Sequence, residues 1–86
     1  MDPFRIQVAD EVLHDLRTRL HNTRWPGQIP GIGWEQGTEL DWLQRLVSYW
    51  AREFDWRGWE RRLNAFNQFT WEDIHFVYQR AASSRP

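Results

Sequence analysis

Eighty-six residues with no cysteine and a net charge of −1 suffice for one domain at most, and they exclude disulfide scaffolds, zinc ribbons and thiol chemistry. Eleven basic residues, all Arg, are offset by twelve acids. The basic excess expected of a nucleic-acid binder is therefore missing, and no apolar run of about 18 residues, enough to span a bilayer, occurs.

Residues 1–9 read as an extended lead in which Phe4, Ile6 and Val8 alternate with Arg5 and Gln7. From Asp10 to Asn22 the period becomes helical, with Asp10 as the N-cap. At about 100° per residue, Val12, Leu13, Leu16 and Leu20 share one arc, while His14, Arg17 and His21 take the far side. Asp15 and Arg19, four apart, form a surface pair worth about 0.2–0.5 kcal/mol. Residues 24–37 then gather Gly27, Gly31, Gly33, Gly37, Pro26 and Pro30. Trp25, Ile29, Ile32 and Trp34 punctuate that stretch, which marks a meander pinned at Trp25 and Trp34 and not a polar linker.

A second helix is expected from Thr38 to about Phe54, opened by a Thr38-x-x-Asp41 capping box. Its apolar face is too wide for one neighbour. Leu40, Leu43, Leu46, Val47, Trp50 and Phe54 form the centre, and Trp42 and Tyr49 extend it. Asp55 is the N-cap of a third helix to Asn64, with Trp56, Trp59 and Leu63 in one apolar stripe. Phe66-Asn67-Gln68-Phe69 reads as an aromatic-bracketed turn, and residues 74–79 as a strand whose only partner in the chain would be the segment 4–8. Residues 80–86 form a small, polar tail. The expected fold class is mainly α, with three helices, an aromatic Gly/Pro meander and a C-terminal β-strand.

The seven Trp, five Phe and two Tyr replace scarce aliphatics, each large ring burying about 150–250 Å². Small secreted domains usually lean on disulfides, and Met1-Asp2-Pro3-Phe4-Arg5 opens without an apolar signal core, so a cytoplasmic location is expected.

Chemistry-bearing constellations are sparse. His14 and His21 stand two helical turns apart, about 10.5 Å, too far to share a metal, and His75 has no acid beside it. Gly31-x-Gly33 lacks both the third glycine and the preceding strand of a dinucleotide loop. The three serines, Ser48, Ser83 and Ser84, sit in no nucleophile elbow. No cofactor, metal or catalytic residue is expected. Arg57, Arg61 and Arg62 flank Trp56 and Trp59, a pattern that could stack bases, but the helical angles turn Arg57 and Arg61 away from the Trp stripe.

The landmarks of the chain, taken in order, carry a resemblance. They are Pro3-Phe4, Leu16-x-x-x-Leu20, Thr23-Arg24-Trp25-Pro26 and Gly33-Trp34-x-x-Gly37, then Leu43-x-x-Leu46-Val47-x-Tyr49-Trp50 and Asp55-Trp56-Arg57-x-x-Glu60. Leu63-Asn64-x-Phe66-x-Gln68-Phe69 and Ile74-His75-Phe76 complete the series. Over residues 3–79 this resembles the N-terminal domain of microsomal-type epoxide hydrolases, the branch with the juvenile hormone enzymes. Asn67 departs from that family's Phe-Pro-Gln-Phe motif, and the segment 70–73 is shorter than usual and lacks the Asp-Gly turn.

The resemblance implies an accessory domain, residues 1–79, that wraps an α/β-hydrolase core, touches its cap and continues into the first core strand at 74–79. Its partner would be that core, in the same or a separate chain, or a second copy of itself. The family's nucleophilic Asp, its His–acid pair and its cap tyrosines have no counterpart in residues 1–86, so this segment alone is expected to be inactive towards epoxides. The residues expected to pack in the core or meet a partner are Trp25, Trp34, Trp42, Trp50, Phe54, Phe66, Phe69, Ile74, Phe76 and Tyr78. The alternatives are a free-standing interaction module that kept the fold and a small Trp-rich ligand-binding protein.

Overall fold

The structure is a computed structural model and describes residues 1–83. In chain order the elements are β1 (Asp2–Pro3), α1 (Asp10–His21), α2 (Leu40–Arg52), α3 (Trp56–Asn64), β2 (Gln68–Trp71) and β3 (Ile74–Val77). They cluster into two compact units. Val8–Phe54 forms a helical unit, and Met1–Gln7 with residues 55–83 forms a sheet unit.

In the helical unit α1 packs against α2. The arc expected on α1 is partly correct: Leu13 is buried, Leu16 and Leu20 are half-buried, but Val12, at the edge of the arc, is exposed. Asp10 is not the N-cap. That position belongs to Ala9, and Asp10 is the first helical residue, where its charge still complements the N-terminal end of the helix dipole. At the far end the Thr23 hydroxyl donates to the Leu20 carbonyl at 2.8 Å, closing the last turn.

The meander between the helices is held by turns. Ile32 N–H donates to the Ile29 carbonyl across Pro30-Gly31, and Gly31 has φ +80°. Pro followed by a residue of positive φ is the type II arrangement, which glycine fills without a Cβ clash. The Gln28 amide ties this turn region to α2, its Nε2 donating to the Gly33 carbonyl at 3.1 Å and its Oε1 accepting from Leu40 N–H at 3.0 Å. That bond corrects the expected start of α2. With Leu40 as the first helical residue the cap falls on Glu39, whose carboxylate accepts from Trp42 N–H at 2.6 Å, and the Thr38 capping box does not form.

The sheet unit departs further from the sequence reading. Gln68 and Phe69, expected in a turn, begin a strand that runs to Trp71 and is the central one of a three-stranded antiparallel sheet of order β1-β2-β3. Pro3 stands opposite Phe69, and Phe69 opposite Phe76. The strand at the end of the chain is therefore not alone, and it pairs with β2 instead of the segment 4–8. β2 and β3 are joined through Glu72 and Asp73 alone, and Glu72 takes a positive φ of 53°. Two-residue hairpin turns demand such a φ, usually from Gly or Asn, so this turn carries none of the usual sequence signal.

Asp55 caps α3 as expected, accepting from Gly58 N–H at 3.1 Å. The residue at the Phe-Pro-Gln-Phe departure also finds a role. Asn67 N–H donates to Gln79 Oε1 at 3.2 Å and the Asn67 carbonyl accepts from Tyr78 N–H at 3.0 Å, extending the β2–β3 pairing by one step. A proline could not make the first of these bonds. Of the expected tail, residues 84–86 lie outside the described residues.

Candidate interaction surface

A polar cluster fixes one side of the sheet. Asn64, on the last turn of α3, grips Ile6 twice: Ile6 N–H donates to Oδ1 and Nδ2 donates to the Ile6 carbonyl, both at 2.8 Å. The buried Gln68 donates from Nε2 to the Leu63 carbonyl at 2.7 Å. Its Oε1 is thereby turned to His75, 2.8 Å from Nε2, which must carry the proton because a carbonyl oxygen only accepts. The Phe4 ring lies 4.5 Å from the His75 ring. His75 is thus a structural residue. His14 and His21 are exposed. Among the described residues no three of His, Asp and Glu gather where a metal ion could be held.

Strand residues alternate between faces. Gln68, Thr70, His75 and Val77 share the face bonded to α3. Phe69, Trp71, Ile74 and Phe76 share the other. Phe69 and Phe76 lie 6.0 Å apart and are half-buried, but Trp71 and Ile74, next to the turn, are each 56% exposed. Tyr78, two residues beyond Phe76, is exposed as well.

The wide face of α2 divides in two. Leu40, Leu43 and Val47 are half-buried and Ala51 is buried, a stripe about 80° across. The adjoining arc of about 100° carries Trp42, Leu46, Tyr49 and Trp50, all exposed, Leu46 by 43% and Trp50 by 44%. Asp41, Gln44, Arg45, Ser48 and Arg52 form the remaining, polar side. Trp34 does not pin the meander by burial. It is 57% exposed and meets Trp42 edge-on at 5.3 Å, so the two indoles form one exposed aromatic patch.

Of the ten residues expected to pack or to meet a partner, Trp25, Phe54, Phe69 and Phe76 are half-buried, and Trp34, Trp42, Trp50, Phe66, Ile74 and Tyr78 are exposed. Sequence reading did not single out Trp71, which lies in the shortened segment 70–73, and it placed Trp59 in the apolar stripe of α3 without naming it as a contact. The expected stripe of α3 does not hold together: Trp56 is half-buried, but Trp59 and Leu63 are exposed, with the Arg62 guanidinium 4.3 Å above the Trp59 ring. The inward row is instead Trp56, Glu60 and Asn64, spaced by four, and Glu60 pairs with Arg57 at 2.9 Å.

The total makes the point quantitatively. The chain exposes 7796 Å² at 10.6 kDa. A compact protein of this mass exposes about 5,500 Å², and even two separate compact bodies of half the mass would expose about 6,600 Å² together. The area is thus larger than a compact protein of this mass exposes, and Trp34, Trp42, Trp50, Trp59 and Trp71 are among the exposed large side chains.

The described residues thus form a small helical and antiparallel segment with exposed aromatic side chains on α2 and at the end of the sheet. The comparisons identify the family. The chain matches the family described as epoxide hydrolase N terminus over residues 1–86, and it belongs to that family. It is 41% identical over 83 residues to a putative epoxide hydrolase of Stigmatella aurantiaca, covering 92% of this chain and 19% of that protein. It is 32% identical to juvenile hormone epoxide hydrolase 2 of Ctenocephalides felis, covering 99% of this chain and again 19% of the relative. Among solved structures, Aspergillus niger epoxide hydrolase superposes with a TM-score of 0.77 at 35% identity, over 88% of this chain and 22% of that one. The chain thus spans about a fifth of the length of the relatives it matches.

Proposed function

We propose that this chain is the N-terminal accessory domain of an epoxide hydrolase, packing on an α/β-hydrolase core and its cap, with the core supplying the groups that convert an epoxide to a vicinal diol. The observation that carries this reading is the set of exposed large apolar side chains on a segment that matches the epoxide hydrolase N terminus and covers about a fifth of its relatives. Its role is mechanical. Covering the core lowers the exposed apolar area of both partners, at about 25 cal/mol per Å². No residue of 1–86 acts on the substrate.

A chimaera tests this. The matching segment of the Stigmatella aurantiaca relative is replaced by residues 1–86, and hydrolysis of a simple aryl epoxide is followed. A soluble, active chimaera, beside an isolated chain with no activity above buffer, supports the reading. An insoluble or inactive chimaera, where the unaltered relative is active, overturns it. Turnover by the isolated chain that a point mutation in it abolishes would show instead that this segment is itself an enzyme.

A further inference from the structure

The sheet has two edges, and they differ in what they offer a further strand. In an antiparallel pair, residues alternate between those that turn their N–H and C=O to the partner and those that turn them away. Phe4 N–H donates to the Gln68 carbonyl at 2.8 Å. Phe4 therefore faces β2, as does Asp2, while Pro3, opposite Phe69, points its backbone outward. Any other residue there offers an outward N–H, and proline has none. On β3 the same alternation gives the opposite result. Tyr78 N–H donates to the Asn67 carbonyl at 3.0 Å, so Phe76 faces β2, and His75 and Val77 turn outward. Neither is a proline, and each presents both a donor and an acceptor.

We infer that residues 2–6 are an edge guard, which closes the β1 side of the sheet to strand addition and restricts further pairing to β3. Two devices serve it. Pro3 removes the outward donor, in a strand only two residues long whose other member, Asp2, is charged and exposed. Asn64 holds the guard in place beyond the end of β2. Continuing the register sets Ile6 opposite Phe66, but Phe66 N–H is committed to the Leu63 carbonyl at 3.1 Å. The Asn64 amide stands in for that peptide group, giving one bond to Ile6 and receiving one, both at 2.8 Å. Without the guard, the backbone groups that Gln68 and Thr70 turn to β1 form a second open edge, free to pair with another copy of the chain.

The chain has no cysteine, so a nitroxide on Arg5→Cys marks the guarded edge uniquely. With Pro3 in place, the labels of two copies should not approach at any concentration. Pro3→Val and Pro3→Ala each restore the outward N–H. In both, the spectrum should broaden as concentration rises, because an added strand lies about 4.8 Å from β1. Hydrogen exchange reads the same geometry in dilute monomer: the amide introduced at position 3 should exchange about tenfold or more faster than Phe4 N–H, which is bonded to Gln68. Broadening at residue 5 with the proline present overturns the inference. So does an unbroadened spectrum in both variants, or an amide at position 3 that is protected in dilute solution. Association of the unaltered chain that leaves residue 5 unbroadened runs through β3 and supports it. No readout involves a hydrolase core, so the edge guard and the accessory role stand or fall separately.

Discussion

The two units are held by different physics. In the helical unit each element closes its own hydrogen bonds, and an apolar stripe joins α1 to α2, with Leu13 and Ala51 as its most buried side chains. In the sheet unit the joints are polar and long-range. Ile6 and Asn64 are 58 residues apart in sequence, and β1, at the start of the chain, pairs with β2, which follows α3. The helical unit could lose a contact and loosen gradually, because dispersion and burial are spread over many atoms. The sheet unit concentrates its attachment in a few directional bonds, and one lost side chain strands buried polar groups.

Breaking the polar joint should give the largest effect. Asn64→Leu removes both bonds to Ile6 and leaves a backbone N–H and C=O without partners. A loss of about 2–4 kcal/mol is expected in urea denaturation, with early hydrogen exchange at Phe4 and Ile6. Unchanged exchange there would show that the sheet alone retains the N-terminal segment. The apolar counterpart, Leu13→Ala, should cost about 2–3 kcal/mol, the low end for such truncations, because Leu13 keeps 9% of its surface exposed and so leaves an incompletely closed cavity. Exchange at Ile6 should not respond, since Leu13 belongs to the other unit.

Smaller changes sharpen the contrast at the helix starts. Asp55→Ala should cost about 1 kcal/mol by freeing Gly58 N–H, read as a lowered melting midpoint. At the hairpin the sign reverses. Glu72→Gly relieves the positive φ and should stabilise by about 0.5–1 kcal/mol, and a destabilised variant would mean that the Glu72 side chain makes a compensating contact. Among the described residues the smallest effect belongs to the exposed Asp15–Arg19 pair. Its coupling in a double-mutant cycle should be a few tenths of a kcal/mol, about 0.2–0.5.

Much of the helical unit was legible in the sequence. Periodicity placed α1 and α2 within a residue or two, and the excess width of the α2 face was visible from Trp42 and Tyr49 alone. The cap of α2 was misplaced by one residue because Gln28, twelve positions upstream, takes the Leu40 N–H, and no local pattern encodes that bond. The sheet was mostly illegible. Gln68-Phe69-Thr70-Trp71 is a four-residue strand with Asn67 before it but Glu72-Asp73, not Gly or Pro, after it, and its partners lie on both sides in sequence, one of them only two residues long.

The candidate surface divides the same way. Phe69 and Phe76 were named from composition, and their pairing across β2 and β3 came from register. Trp71 escaped notice because a side chain acquires its face only when the strand acquires a partner. Trp34 and Trp59 were expected inside and stand outside, since hydrophobicity reports what a residue can bury and not what is there to cover it.

The sequence by itself determined the three helices, the Asp55 cap, the lack of cysteine chemistry and the resemblance that led to the epoxide hydrolase N-terminus family. These rest on local properties: i to i+4 spacing, side-chain oxygens next to free N–H groups, and residue order. Only the tertiary structure decided the β1-β2-β3 pairing, the Asn64 grip on Ile6 and the division of α2 into a covered and an open arc. Those depend on segments meeting across tens of residues, where the outcome is set by loop closure and by which groups find partners first.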